Sequence, residues 1–578
     1  MKALDFKFLF KLWPYVKIYR FLFFATILVS ICFGVLSTIR PLLIQYAFDN
    51  YIMNSDVQGL MNIMLIILFC LFFEAFLQFV FVYRSNYLAQ KIIQKLRSKV
   101  FFTILRFQVR YFDKTPVGQL ITRVVSDIEA IASIFSQGLL VFFGDLFKML
   151  LIIVCMFLMS WELALISLVC LPFLIFSTII FQRHMHLAFV DVRKYISKIN
   201  TFVYEHIIGM PVVQLFGQEK EQFDKFEKLN LAHRDAHIKT VFYFSIFLPV
   251  IDVCAAIAMG LLVWYGALNV VSVGNVTIGE LIAFILFINM LFRPLRSMAD
   301  KFNILQMGVV AVRRVFNVLE SKNYEVDVPV LKDKLSVGDI VFKNVNFEYK
   351  ENEPVLKNIS FKIQANETVA IIGSTGSGKT TLVNLIMKWY AVKNKTIFID
   401  DEDINNINMN QLRLSVGIVL QNSFFLSDTL MNNIKFFNEF SDQEVYDAVK
   451  KVGLEDFIYK FPDNYNYHIG ERGVGLSQGE KQLISFLRTY LINPPYLILD
   501  EATSSMDPET DRLIQRAIKR LTQGRTSIII AHRLSTIKSA DNILLLEKGD
   551  LIEMGTHEKL LNLNGKYANY YYQQFIND

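Results

Sequence analysis

Charged residues are scarce in this chain of 578 residues: they make up 19% of it, against 53% hydrophobic residues. This composition excludes an intrinsically disordered chain and is more apolar than that of an ordinary soluble globule. The 52 phenylalanines and a mean hydropathy of +0.37 indicate that much of the chain lies in lipid. The net charge of +6 is modest for this length, so it gives no reason to expect a nucleic acid as partner.

Cysteine is also rare, and its five copies lie far apart in apolar stretches. This spacing excludes both a disulfide framework and the paired Cys/His pattern of a zinc site. We expect the thiols to be buried as small hydrophobic groups. They are Cys32, Cys70, Cys155, Cys170 and Cys254.

A cleavable secretory signal is not expected. Residues 1–17 alternate apolar and basic side chains, without a long apolar core followed by a small-residue cleavage site. The alternation instead predicts an amphipathic helix at the membrane interface.

Long apolar runs are abundant in the first half of the chain, and about 20 such residues cross the hydrocarbon core of a bilayer. A further run from Leu281 to Phe292 is short and is followed by Arg293-Pro294, so its pattern alone does not establish a span. The runs that meet the length are residues 21–39, 60–83, 131–159, 163–182 and 241–265.

The charges of the loops favour six crossings. Lysine and arginine are absent from three connections and frequent in residues 84–123 and 183–239, which the positive-inside rule places in the cytoplasm with the N-terminus. If the C-terminal half is cytoplasmic too, the number of crossings is even. Helical periodicity continues from Arg84 to Gln108, so the second span is predicted to extend about 35 Å beyond the bilayer.

Ionisable residues inside or beside these runs are few, and each is costly in lipid. They either take part in function or form ion pairs between helices, and the sequence leaves both open. They are Arg40, Glu74, Asp145, Lys148, Asp252 and Arg293.

A glycine-rich loop carries the chemistry of the second half. From about residue 338, β-branched strands alternate with helical patterns, which predicts an α/β domain. The loop after the strand at 368–373 has the pattern and setting of a phosphate-binding loop, in which Lys379 reaches the β- and γ-phosphates and Thr380 ligates Mg²⁺. A turn that binds nothing is the alternative. The loop is Gly373-Ser374-Thr375-Gly376-Ser377-Gly378-Lys379-Thr380.

Two adjacent carboxylates end a later buried strand, at Asp500 and Glu501. Asp500 at the end of the strand can organise Mg²⁺ through water, and Glu501 can act as general base for an attacking water. Paired acids also serve as N-caps of a following helix, so the phosphate loop upstream is what favours the catalytic interpretation.

Five further motifs lie in the second half of the chain, one before the glycine-rich loop and four after it. They are Tyr349 in VNFEYK, Gln421 in VLQNSFFL, Leu476-Ser477-Gln478-Gly479-Glu480, Ser504-Ser505-Met506-Asp507 and His532 in IIIAHRLST. In this order, together with the glycine-rich loop and the carboxylate pair, they resemble the nucleotide-binding domain of an ABC transporter. The signature here, LSQGE, departs from the family's LSGGQ at Gln478 and Glu480.

The resemblance implies a role for each motif. Tyr349 would stack on adenine, Gln421 would sense Mg²⁺ or the attacking water, and His532 would bond the γ-phosphate. Ser477 and Gly479 would approach the ATP of a partner subunit, so each site would be shared between two chains. Whether the altered signature serves a fast or a degenerate site stays open, as does the choice between homodimer and heterodimer.

The chain as a whole resembles a half-size type IV ABC exporter of the multidrug and lipid-flippase group. Residues 111–131 and 209–219 are similar to the two coupling-helix regions of that group, and 470–473 to the segment before the signature that contacts them. The resemblance implies a six-span α-helical transmembrane domain fused to a cytoplasmic α/β P-loop ATPase domain. We expect the first at 1–320, a linker at 321–337 and the second at 338–578.

The function implied is ATP-driven export or flipping of an amphipathic drug, lipid or peptide by alternating access of a dimer, with ATP and Mg²⁺ as cofactors. The location implied is the cell (inner) membrane, with the N-terminus and the nucleotide-binding domain in the cytoplasm. An ATP-gated or regulatory ABC membrane protein that does not pump is the alternative, because gating would use the same closure.

Overall fold

The chain divides into two compact units. The first, here the helical unit, comprises Met1–Leu105 and Thr115–Lys322, and the second, the α/β unit, comprises Arg106–Lys114 and Asn323–Asp578. The structure is a computed structural model. It describes residues 7–272, 276–324, 335–421, 423–500, 507–531 and 533–575.

Helices make up the described part of the helical unit, with two π-helical turns at Phe48–Ile52 and Ile134–Leu139. One short helix of the series, α5, is grouped with the α/β unit. The helices are α1 (Lys7–Phe10), α2 (Trp13–Ile18), α3 (Arg20–Ala47), α4 (Val57–Leu105), α5 (Val109–Lys114), α6 (Val117–Val124), α7 (Ser126–Ser133), α8 (Leu140–Met159), α9 (Trp161–Leu168), α10 (Leu171–Ile208), α11 (Met210–Leu215), α12 (Glu219–Ser272) and α13 (Ile278–Leu319).

The prediction of six crossings is confirmed: among the described residues, six helical stretches are long and apolar enough to span a membrane. The helix of the second span continues past Arg84, as predicted, and ends at Leu105. The stretches are Arg20–Ile52, Val57–Leu105, Val117–Met159, Trp161–Ile208, Glu219–Leu268 and Ile278–Leu295.

The sixth span forms although its apolar run is short. Its helix starts at a capping box, in which Thr277 and Glu280 exchange side-chain and backbone hydrogen bonds. Phe284 and Phe287 then bury completely against neighbouring helices. Packing against neighbouring helices therefore stabilises a span whose apolar run is short. The helix continues through Pro294 to Leu319.

The expectation that all cysteines are buried is wrong. Cys254 is buried in the helical core, but Cys32 is exposed and the other three are partly exposed. The reason is that these thiols lie on helices whose outer faces are apolar, so a small hydrophobic group is equally suited to contact lipid.

The α/β unit contains a six-stranded sheet, a four-stranded antiparallel sheet and a pair of short strands. Its strands are β1 (Ile340–Glu348), β2 (Pro354–Ile363), β3 (Thr368–Ile372), β4 (Ile397–Ile399), β5 (Glu402–Asp403), β6 (Val416–Val419), β7 (Asp428–Thr429), β8 (His468–Ile469), β9 (Tyr496–Asp500), β10 (Thr526–Ile530), β11 (Asn542–Glu547) and β12 (Asp550–Gly555). Its helices after α5 are α14 (Lys379–Ile386), α15 (Met409–Ser415), α16 (Leu430–Lys435), α17 (Asp442–Val452), α18 (Glu455–Tyr459), α19 (Gln478–Ile492), α20 (Pro508–Thr522), α21 (Leu534–Ser539), α22 (His557–Asn562) and α23 (Lys566–Phe575).

The large sheet is buried on both faces. Its strand order is β12-β11-β3-β10-β9-β6, and the pairs from β11 to β6 are parallel. Along β3, Ala370 and Ile372 belong to one apolar cluster while Val369 and Ile371 belong to the other. Strands covered on both sides are buried along their whole length, and all five residues of β10 (TSIII) are buried accordingly.

Arg488 in α19 makes several contacts with the segment that follows Gln421. The Arg488 guanidinium donates to the carbonyls of Asn433 at 2.6 Å and Phe424 at 2.8 Å. It also lies 4.5 Å from the ring centroid of Phe425 and 4.3 Å from that of Phe436. Burial lowers the pKa of Arg488 to about 10.

Replacing Arg488 by lysine should destabilise the α/β unit, because an ammonium cannot reproduce the planar fork that reaches both carbonyls. We expect a loss on the order of 2–3 kcal/mol in the free energy of unfolding, from buried acceptors left without a donor. Thermal unfolding of the purified chain in detergent measures it. Arg512→Lys, on an exposed face of α20, is the matched control, and equal shifts in the two variants would contradict this role.

Candidate functional site

The glycine-rich loop joins β3 to α14 through three glycines with positive φ. The angles are 150° at Gly373, 81° at Gly376 and 106° at Gly378. A Cβ at Gly373 would lie 2.2 Å from the carbonyl oxygen of Leu546, and one at Gly378 would lie 2.6 Å from Leu356 Cδ2. At Gly373 and Gly378 a side chain is thus disfavoured by both conformation and space, whereas at Gly376 only the positive φ disfavours one.

Lys379 lies at the first turn of α14 and folds back over the loop. Its Nζ donates to the carbonyls of Gly373 at 2.8 Å and Ser374 at 3.0 Å. Burial lowers the pKa of Lys379, and the negative charge of Asp500 opposes that shift. Ser374, Thr375, Gly376 and Thr380 are exposed beside it, whereas the Ser377 hydroxyl is buried without a hydrogen bond to any residue the structure describes.

Asp500 ends β9, and parallel pairing brings it to the same sheet edge as the loop. Ile530 of β10 is in register with Asp500 on one side and with Ile371 of β3 on the other. The carboxyl ends of these strands therefore meet, which is the usual location of a ligand site in a parallel α/β sheet. Glu501 follows β9 directly in sequence and His532 follows β10 after Ala531, but both lie outside the described residues.

Tyr349 belongs to an aromatic cluster with Phe347 and Tyr390. Its ring makes edge contacts with both, with centroids 4.9 Å apart in each pair. Its hydroxyl donates to Thr381 Oγ1 at 3.2 Å and accepts from Asn384 Nδ2 at 3.0 Å, both on α14. The position of this ring is therefore set from the same helix that carries Lys379.

Tyr390 connects this cluster to α5, which overlaps the start of the segment predicted to be the first coupling-helix region. Its hydroxyl donates to the carboxylate of Asp113. Burial, followed by this hydrogen bond, raises the pKa of the Tyr390 phenol. The pair was not predicted, because the two residues are 277 positions apart and Tyr390 belongs to no recognised motif.

The altered signature forms a complete N-terminal cap for α19. The Ser477 hydroxyl accepts the backbone N–H of Glu480 at 3.3 Å, and the Glu480 carboxylate accepts the backbone N–H of Ser477 at 2.7 Å. Ser477 is exposed and Gly479 is buried. The S-x-x-E spacing in the sequence predicts such a capping box.

Gln478 ties the signature to the segment at Gln421, since its amide donates to the Gln421 carbonyl at 3.3 Å. Within the described residues, no hydrogen bond or ion pair joins Ser477 or Gly479 to the glycine-rich loop. The loop, Asp500 and the aromatic cluster therefore assemble in one chain, while the signature is not part of that assembly.

Comparison with known proteins gives matches over most of the chain. Residues 23–295 match the family model of the ABC transporter transmembrane region, and residues 356–504 match that of the ABC transporter. A probable multidrug resistance ABC transporter ATP-binding/permease protein of Bacillus subtilis is 36% identical over 91% of this chain and 78% of its own length. An ATP-dependent lipid A-core flippase of Syntrophus aciditrophicus is 31% identical over 94% and 91%. A putative ABC transporter ATP-binding protein of Streptococcus pneumoniae is 34% identical over 97% and 96%.

Glu480→Ala should open the first turn of α19, because it removes one half of the capping box. The expected loss is about 1 kcal/mol of local stability. Glu480→Gln is the matched control, since glutamine can complete the same box. Hydrogen–deuterium exchange of the peptide around Ser477 is the measurement, and equal protection in the alanine and glutamine variants would show that the cap contributes nothing.

Proposed function

Because this chain belongs to the ABC transporter family, with a transmembrane region and an ATP-binding region on one polypeptide, we propose that two copies of it form one transporter with two shared ATP sites. The protein is a multi-pass membrane protein that uses ATP hydrolysis to drive export. The alternative of a gated or regulatory protein that does not pump is not favoured, since similar proteins carry the names of exporters and of a flippase.

One observation supports the assignment of the nucleotide site: the glycine-rich loop and Asp500 lie at the same edge of the sheet. We assign the β- and γ-phosphates to the backbone N–H groups of residues 373–380 and to the Lys379 ammonium. Lys379 already donates to two loop carbonyls, so phosphate oxygens would replace those acceptors without moving the backbone. Tyr349 would stack on the adenine ring.

The side chains at this edge suit Mg²⁺. Thr380, Asp500 and Gln421 offer hydroxyl, carboxylate and amide oxygens, which are the hard ligands this ion prefers. Mg²⁺ usually keeps several waters and takes further ligands from substrate phosphates, so a few protein oxygens suffice. When bound, Mg²⁺ neutralises charge on the β- and γ-phosphates.

Hydrolysis requires a general base for the attacking water and a side chain that hydrogen-bonds the γ-phosphate. Glu501 would accept a proton from the attacking water, whose oxygen bonds to the γ-phosphorus as the bond to the β–γ bridging oxygen breaks. His532 would hydrogen-bond the γ-phosphate and Gln421 would orient the water. These roles rest on the family motifs and on the strands that end beside them.

Sharing of the sites follows from the signature. Ser477 is exposed at the N-terminus of α19 and has no hydrogen bond to the loop of its own chain. In the proposed dimer, Ser477 and Gly479 cover the ATP held by the other copy. A homodimer is the proposal because this one chain carries a full set of motifs, including Glu501. A paired half-transporter is the second candidate, favoured only by the changes at Gln478 and Glu480.

The substrate is proposed to be amphipathic, either a drug, a lipid or a peptide, in keeping with the names of similar proteins. The location is proposed to be the cell (inner) membrane, with the N-terminus and the α/β unit in the cytoplasm. The basic loops and the positive-inside rule support that orientation.

The test is the ATPase activity of the chain purified alone into lipid nanodiscs. We expect turnover by a particle of two chains, and Glu501→Gln should bind ATP yet lose at least about a hundredfold in rate, as removal of a general base does. Near-normal turnover in Glu501→Gln would refute the assigned base. A folded wild type that binds ATP without turnover would refute the homodimer and direct the search to a partner half.

A further inference from the structure

Two ion pairs account for four of the charges associated with the spans. Arg40 on α3 lies 3.3 Å from Glu74 on α4. Asp145 on α8 is paired with Lys301 on α13. The interpretation of these charges as ion pairs between helices is therefore correct for Arg40, Glu74 and Asp145.

Lys148 on α8 and Arg293 on α13 are not accounted for in this way. Neither makes a hydrogen bond or an ion pair with any residue in the described part of the chain. Lys148 Nζ lies 5.4 Å from the ring centroid of Phe33, and Arg293 is exposed. The charges that act on Lys148 are those of Glu74, Arg40, Asp145 and Arg293. With Lys301 neutralising Asp145, this group has an excess of two positive charges.

Lys148 lies deep in its span, whereas Arg293 lies two residues before the end of the sixth candidate span at Leu295. Lys148 is 11 residues before the end of α8 at Met159, which is about 17 Å at 1.5 Å per residue and so about half the thickness of the hydrocarbon core. An unpaired cation facing lipid at that depth is costly, and ionisable groups there face a water-filled cavity or a bound partner. By this rule the face of α8 that carries Lys148 meets water or a bound partner rather than lipid.

We propose that Lys148 and Arg293 bind the anionic headgroup of the transported molecule, so that the substrate is an amphipathic anion. The inference rests on the proposed export function and specifies its substrate class. The pairs Arg40–Glu74 and Asp145–Lys301 hold α3, α4, α8 and α13 together without supplying net charge. An incoming phosphate or carboxylate group then meets two cations whose charge nothing else in the described chain cancels.

The probe pair for the test is oleoyl lysophosphatidic acid and oleoyl lysophosphatidylcholine, which share a tail and a phosphate but differ in net charge. Binding is measured without nucleotide, on the full chain in nanodiscs of neutral lipid. We expect the wild type to prefer the acid by about tenfold, the size of one charge-assisted hydrogen bond. The double variant Lys148→Gln with Arg293→Gln should lose that preference, whereas Lys148→Arg should keep it.

The matched control is Lys95→Gln with Lys99→Gln, which removes the same charge from the exposed extension of α4. It should keep the full preference for the acid. A preference that persists in the Lys148 and Arg293 double variant would overturn the proposal. So would competition by millimolar inorganic phosphate as strong as that by the acid, since the site would then hold free anions rather than an amphiphile.

A further outcome separates a structural role from binding. In this outcome the Lys148 and Arg293 double variant dissociates into monomers, while Lys148→Arg stays dimeric but shows no preference between the two probes. The two cations would then pair with acidic residues of the second copy, and the proposal would be wrong. Because binding is measured without ATP, a chain that shows the charge preference but no turnover would refute self-pairing and leave this inference standing.

Discussion

The glycine-rich loop between β3 and α14 is the constraint on which the rest of the nucleotide site depends. Its backbone can curl around phosphate only because Gly373 and Gly378 have conformations and neighbours that exclude a Cβ. That curl has to begin at the end of a strand whose neighbours are parallel, since the same edge must also present Asp500. The doubly buried six-stranded sheet thus fixes the site before any ligand arrives.

From this loop a series of contacts reaches α5, at the start of the predicted first coupling-helix region. The loop is followed by α14, whose Thr381 and Asn384 hold the hydroxyl of Tyr349. The Tyr349 ring contacts Tyr390, and Tyr390 binds Asp113 in α5. α5 belongs to the α/β unit and follows α4 in the sequence, with three residues between them.

The glycine-rich loop, the strand ending at Asp500 and the first five spans could be predicted, because each is a local pattern of about 8–25 residues. What could not be predicted depends on contacts between distant residues. The short run at 281–292 spans because Phe284 and Phe287 are buried by neighbouring helices, and Tyr390 matters only through Asp113. The sequence marks Arg40 and Glu74 as costly in lipid. Which ionisable residues form ion pairs, however, depends on how the helices pack. Burial of every cysteine was a wrong expectation, because apolar helix faces in this protein also point outward.

The central claim is that each ATP site is completed by a second copy of the chain, and mixed dimers test it most directly. Chains with Lys379→Ala and chains with Ser477→Ala, carrying different tags, are co-purified as a mixed dimer and assayed for ATPase. If the signature of one copy serves the loop of the other, one site carries both defects and the second site is intact, so the mixed dimer should be far more active than either variant homodimer. If each chain completes its own site, every site is defective, and a mixed dimer as inactive as the two homodimers would contradict the account.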